Sequence, residues 1–173
     1  GKLIQATFDQ SSPEIHHPFR SWGMVPWVTP TGAKLRLGDR VIVTQNNYDA
    51  DIRNGDIGTI TAVYSEVQED QSLGELMIDG RPLPITIDIL PTLELGYAIT
   101  IHKSQGSQWD TCILVLPPYA EHMIDQTLIY TGVTRTVNNL VILGDSALLR
   151  KAVERGPSND ERKTDLAAKL AAN

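Results

Sequence analysis

Tyr97–Asp110 reads YAITIHKSQGSQWD and Leu128–Asp145 reads LIYTGVTRTVNNLVILGD, and these two stretches decide the fold. Cys112–Leu116 and Leu140–Leu143 are continuous apolar runs, the mark of strands buried on both faces of a parallel sheet. Between them Met123–Thr136 carries Ile124, Leu128 and Val133 at spacings that suit a helix, which predicts a crossover helix and a right-handed strand-helix-strand unit. Ser146–Arg155 (SALLRKAVER) predicts a further helix, with Ser146 as N-cap and Gly156-Pro157 as its stop. Asp145 reads as a strand-end or cap residue. The tail Asp160–Ala172, charged and then alanine-rich, reads as a marginal helix or a frayed end.

Working outward, the texture before Pro91 is that of short strands. Arg40–Gln45 (RVIVTQ) and Gly58–Tyr64 (GTITAVY) are rich in β-branched residues, and Asn54-Gly55-Asp56 between them signals a turn. Gly74–Ile78 and Pro84–Ile89 flank Asp79-Gly80, a dipeptide whose residues can both take positive φ in a tight hairpin. Glu66–Ser72 (EVQEDQS) reads as a solvated hairpin tip. Strands in this number and spacing predict a small SH3-like β-barrel. Gly1–Ala33 holds Pro13, Pro18, Pro26 and Pro30 among His16, His17, Trp22 and Trp27, and reads as an extended connector whose aromatics dock on a neighbour. A short helix over Lys2–Phe8 is compatible with its start. The chain does not open on methionine and is expected to be a piece of a longer polypeptide. The domain reading is a connector over 1–34, an SH3-like barrel over 35–92, a parallel α/β segment over 93–156 and a tail over 157–173.

Composition bounds the function. In 173 residues, 41% hydrophobic content suits a globular protein, and one cysteine, Cys112, excludes a disulfide framework and fits a reducing, cytoplasmic setting. The longest apolar run is too short to span a bilayer, so no membrane partner is expected. A formal net charge of -6 is the wrong sign for binding nucleic acid by bulk electrostatics, so any such binding must come from a local site or a larger protein.

Thr100–Ser107 (TIHKSQGS) is where chemistry concentrates. Hydroxyls, backbone N–H groups and a lysine are the groups that hold phosphate oxygens, and Gly106 lets the backbone approach a ligand closely. A polar loop with no ligand accounts for the same composition equally well. In Thr131–Arg135 (TGVTR), Thr131 and Arg135 share a helix face, which projects the guanidinium from the last turn. Such an arginine either serves a transferring phosphoryl group or caps the helix at the surface. No G-x-x-x-x-G-K-[ST] phosphate loop occurs in the sequence, and no metal-ligating cluster is expected.

Gly96–Asp110 with Leu128–Asp145 resembles motifs V and VI of superfamily 1 DNA helicases, nearest to the group of the exodeoxyribonuclease V alpha subunit (RecD-like) and the conjugative relaxase-helicases (TraA-like). Arg36–Asp56 is similar to the segment that opens an SH3-like insertion in their second motor domain. The resemblance covers roughly Leu35–Arg155 and implies a partial RecA-like parallel α/β motor domain, the C-terminal half of the second motor domain, with a small all-β insert. It implies that Thr100, His102, Lys103 and Ser104 lie toward single-stranded DNA or a duplex junction, joined by Tyr48 and Arg53 from the insert. It implies that Gln105, Gly106, Ser107 and Gln108 sense the nucleotide, and that Arg135 reaches the γ-phosphate, with Tyr130, Thr131 and Thr134 supporting its helix. ATP and Mg²⁺ are the implied cofactors of the full-length enzyme, with none bound by this piece alone. The implied partners are the rest of the same polypeptide and nuclease-helicase subunits. Gln108 stands where the family commonly has glutamate, and Thr136 and Val137 replace an alanine and a basic residue. A second reading is a non-enzymatic nucleic-acid- or protein-binding module of the SH3/KOW kind, since Gly38–Tyr64 resembles the small barrels of ribosomal and transcription factors.

Overall fold

Arg40–Val43 (β3), Ile57–Val63 (β4), Ser72–Ile78 (β5), Arg81–Thr86 (β6) and Leu93–Leu95 (β7) form one antiparallel sheet in the order β6-β5-β4-β3-β7. They belong to a computed structural model that describes residues 2–7 and 11–156. The Asp79-Gly80 turn joins β5 to β6 with both residues at positive φ, 49° and 78°, as the dipeptide predicts. Pro82 and Pro84 are tolerated in β6 because it is an edge strand, where a missing N–H donor leaves no ladder bond unmade. Register shifts between Ile60 and Ala62 and between Ser72 and Gly74 bend the sheet. Leu35, Val41, Val43, Ile60, Leu73, Leu76 and Ile85 point into one core.

Three expectations for this region are corrected. The residues from Glu14 to Leu35 are not a bare connector, because His16–Pro18 (β1) and Met24–Pro26 (β2) pair as an antiparallel hairpin, and Ile15 and Ala33 are buried in the sheet's core. The prolines at 18 and 26 sit at strand ends and leave the pairing intact. The boundary expected after residue 92 moves, because β7 pairs with β3 and buries Leu93 and Leu95; the chain parts into two compact units between Ile99 and Thr100. Four or five strands are expected over 35–92; four lie there and β7 beyond it completes the sheet, and among the described residues no ladder joins β6 to β7, so a closed barrel is not seen. The helix compatible with the chain start is seen as Lys2–Gln5 (α1).

The second unit carries the predicted strand-helix-strand pattern. Trp109–Leu116 (β8) and Thr136–Gly144 (β9) are parallel and adjacent, connected through Gln126–Val133 (α2), and Ser146–Glu154 (α3) follows. Leu114, Leu116, Ile129, Leu148 and Ala152 build its core. The strands are covered on one face only: Leu114 and Leu116 are buried, while the alternate residues Ile113 and Val115 are 63% and 60% exposed, as are Val141 and Leu143 opposite them in large part. The expectation of burial on both faces fails here because the described residues supply two helices and no second layer. The crossover helix is shorter than Met123–Thr136, since the Asp125 carboxylate accepts from the N–H of Leu128 at 2.7 Å and starts the helix there. Asp145, not Ser146, caps α3, accepting from Ala147 N at 2.8 Å, and Gly156 ends it with φ 72°. The expected tail helix lies outside the described residues.

Candidate functional site

The loop from Thr100 to Gln108 is built on a single turn of 3-10 helix, His102–Ser104. Thr100 Oγ1 accepts from Lys103 N at 3.3 Å, and the Ser104 hydroxyl donates to Ile101 O at 2.6 Å. Ser104 is 6% exposed, so its hydroxyl is spent on the loop's own backbone and does not share a surface with Thr100, His102 and Lys103, which are exposed. This corrects the expectation that Ser104 faces a strand. Gly106 reverses the chain at φ 85°, and a Cβ there would meet nothing within 4 Å, so the glycine serves the turn and leaves open space above it. Gln105 and Gly106 are exposed and Ser107 is half-buried.

Arg135 follows α2 directly, outside the helix, and its guanidinium is tied at three points. Nε donates to Thr131 O at 3.1 Å, Nη2 to Thr134 Oγ1 at 3.2 Å, and Nη1 to Ser107 O at 3.2 Å. The last bond joins the arginine to the loop that bears His102 and Lys103. The backbone closes the same seam, with Trp109 N donating to Arg135 O at 2.9 Å. Gln108 Nε2 donates to Thr134 O at 3.2 Å, a bond that a carboxylate could not make because it has no N–H to give. The glutamine that departs from the resemblance is thus a strut between loop and helix end. An arginine has five N–H donors, so with three engaged two remain for an outside acceptor on a planar, half-buried cation.

Loop and arginine therefore converge, and Tyr130 stands exposed on α2, the helix that precedes Arg135. Tyr48 and Arg53 lie together in the other unit, on the loop between β3 and β4. Asn46 Nδ2 donates to the Tyr48 hydroxyl at 3.3 Å, Asn54 N donates to Asn46 Oδ1 at 2.8 Å, and the Tyr48 ring is 82% exposed. Sequence reasoning missed the roles of the Trp109 N–H and of the Ser107 carbonyl, because backbone donors and acceptors carry no signature in side-chain type.

Hydroxyls, an exposed lysine, a half-buried arginine and an open glycine turn fit one side of a nucleotide phosphate. Among the described residues no three His, Cys, Asp or Glu side chains converge on a metal site. No described helix is long and apolar enough to cross a membrane.

Comparison with known proteins covers the same segment. Residues 95–143 match the UvrD-like helicase C-terminal domain, a segment that contains the loop, α2 and Arg135. The ATP-dependent RecD2 DNA helicase of Deinococcus radiodurans is 30% identical over 140 residues, 81% of this chain and 18% of that protein. The RecBCD enzyme subunit RecD of Mycobacterium tuberculosis is 33% identical over 135 residues, 77% of this chain and 21% of its own length. The chain thus spans about a fifth of these relatives. In fold it is similar to Bacteroides Pif1 bound to ssDNA, with a TM-score of 0.61 at 21% identity, over 99% of this chain and 44% of that one. With relatives along most of its length and a helicase domain match over the loop and arginine, the chain is a relative of the RecD-like superfamily 1 DNA helicases and resembles their C-terminal region.

Proposed function

We propose that the chain is the C-terminal part of an ATP-dependent DNA helicase or translocase of the exodeoxyribonuclease V alpha kind, and that it supplies half of a bipartite site. Thr100, His102 and Lys103 face single-stranded DNA, with Tyr48 and Arg53 of the insert extending the track. Gln105, Gly106 and Ser107 sense the nucleotide with Gln108 as strut, and Arg135 offers its two remaining donors to the γ-phosphate. A motor domain elsewhere in the polypeptide supplies the phosphate loop and Mg²⁺ ligands, so this chain alone is inactive. Bound ATP supplies the transferable phosphoryl group; the residues here orient a permanent positive charge toward it, a task that needs preorganised donors. The strand order β6-β5-β4-β3-β7 supports an SH3-like insert. The bare face of Ile113, Val115, Val141 and Leu143 supports a parallel sheet completed by the rest of the same polypeptide, since isolated proteins rarely expose such patches. Nuclease-helicase subunits and a cytoplasmic setting follow from the same reading.

The observation that carries the proposal is the bond from Arg135 Nη1 to Ser107 O, which joins the loop bearing exposed His102 and Lys103 to the arginine as one mechanical unit. The test is the full-length double variant His102→Ala, Lys103→Ala: DNA affinity and DNA-stimulated ATPase fall while basal turnover is kept. Unmoved DNA affinity would contradict the placing of the loop on the strand. The binding-module reading is weaker, because the helicase domain match lies over 95–143 and not over the small sheet.

A further inference from the structure

The hairpin of β1 and β2 is not used by the site described above. Its turn, Pro18–Gly23 (PFRSWG), is exposed at every residue, with Trp22 78% and Phe19 45% exposed. Burying large aromatics is what folding ordinarily does with them, so two rings in one exposed turn need a reason. The turn is nevertheless ordered by its own bonds: Phe19 N donates to Gly23 O at 2.9 Å and Trp22 N to Phe19 O at 3.0 Å. From within, His17 packs edge-on against both Phe19 and Trp27, with ring centroids 6.1 and 5.1 Å apart. The Phe19 ring is thus braced from within, and backbone hydrogen bonds order the turn that carries Trp22.

A cation stands beside them. Arg20 Cζ lies 5.7 Å from the centroid of the Phe19 ring, and Arg20 has φ 48°, in the left-handed region that a residue with a long side chain adopts at a cost. Such strain tends to persist where the conformation serves a purpose. Arg20 makes no ion pair among the described residues. The segment from His16 to Pro26 contains no aspartate or glutamate in a chain of net charge -6, and the nearest acid, Glu14, is occupied by Lys34 and Arg36 at 2.9 and 2.7 Å.

Exposed aromatic rings on an ordered hairpin turn beside an arginine are a base-stacking platform with a phosphate contact. We infer that the β1–β2 hairpin is a second single-stranded nucleic-acid contact, in which Trp22 and Phe19 stack on bases and Arg20 meets the backbone phosphate. It rests on the DNA-binding reading above but on a different set of residues. Because stacking uses the face common to all bases, the contact is indifferent to sequence, and the acidic chain gains its grip locally.

The test is binding of oligo(dT) to the full-length protein, read by anisotropy and by tryptophan emission. Trp22→Ala is expected to weaken binding roughly 5- to 100-fold, the range for losing one stacked base. Trp22→Phe keeps a ring and should restore most of the affinity while removing the emission quench that oligo(dT) causes in the wild type. Arg20→Ala should lower the slope of log affinity against log salt by about one contact. As Trp22 lies outside both cores, the melting temperature of the variants is expected to match the wild type. If the wild type binds oligo(dT) and Trp22→Ala binds equally well, the hairpin contact is wrong and the helicase reading survives. If the wild type does not bind oligo(dT) at all, both are overturned.

Discussion

At the scale of single residues, neutral oxygens hold the Arg135 cation without neutralising it. Arg135 rests on two carbonyls and a hydroxyl, none of which carries charge, so its positive charge stays available. Arg135→Lys is therefore expected to lose most of the function of the arginine, since a point-like ammonium cannot span three acceptors in a fixed plane; steady-state ATPase of the full-length variant checks this. Gln108→Glu removes the donor to Thr134 O and sets a carboxylate against a carbonyl, and should cost about 0.5–1 kcal/mol in the urea unfolding of the unit that holds it. In the other unit, buried Asp39 accepts from Gln5 Nε2, Arg36 N and the Tyr97 hydroxyl at 2.6, 2.7 and 2.9 Å. Burial and the Asp39 carboxylate both hold the Tyr97 phenol above its ordinary pKa, so it stays a donor. Tyr97→Phe strips one of these three donors from a buried carboxylate and should cost about 1–3 kcal/mol, read as a shift in the denaturation midpoint.

At the scale of elements, local chemistry was legible where a residue type has one physical use. Asp79-Gly80 announced its turn, and the apolar runs at 112–116 and 140–143 announced the two parallel strands. Hidden were elements fixed by tertiary contact: β1 and β2 are three residues each, flanked by prolines, and are held by Ile15 sinking into a core assembled from distant strands. Likewise β7 is three residues long, too short for its Leu-Glu-Leu alternation to announce a strand; its pairing with β3 defines it. Ser104 misled because its hydroxyl looks like its neighbours' in sequence, and only the 3-10 turn sends it inward.

Two predictions belong to this scale. Asp125→Ala removes the cap of α2 and should cost about 1 kcal/mol, measured by urea denaturation. Hydrogen bonds from Arg36 and then Lys34 hold the Glu14 carboxyl below its ordinary pKa of 4.5. A carboxylate depressed on folding contributes stability that is present above 4.5 and is lost as pH falls through its lower folded value. The wild type should thus lose stability in that acid window, and Glu14→Gln should flatten that limb while lowering stability at neutral pH.

At the scale of the whole molecule, the chain divides into two compact units that present different surfaces. One is a five-stranded sheet that presents loops and a hairpin, and the other is a parallel pair whose outer face is bare. That bare face was not legible in the sequence, where the same apolar runs read as strands covered on both sides. Together the acidic balance, the absent phosphate loop and the lack of converging metal ligands among the described residues leave Arg135 as the group on which the account depends. The most direct measurement is ATP turnover by full-length protein carrying Arg135→Ala, beside its affinity for single-stranded DNA. The account predicts turnover lower by about 10³-fold or more, the usual worth of such an arginine, with DNA affinity retained. Turnover equal to the wild type would contradict it.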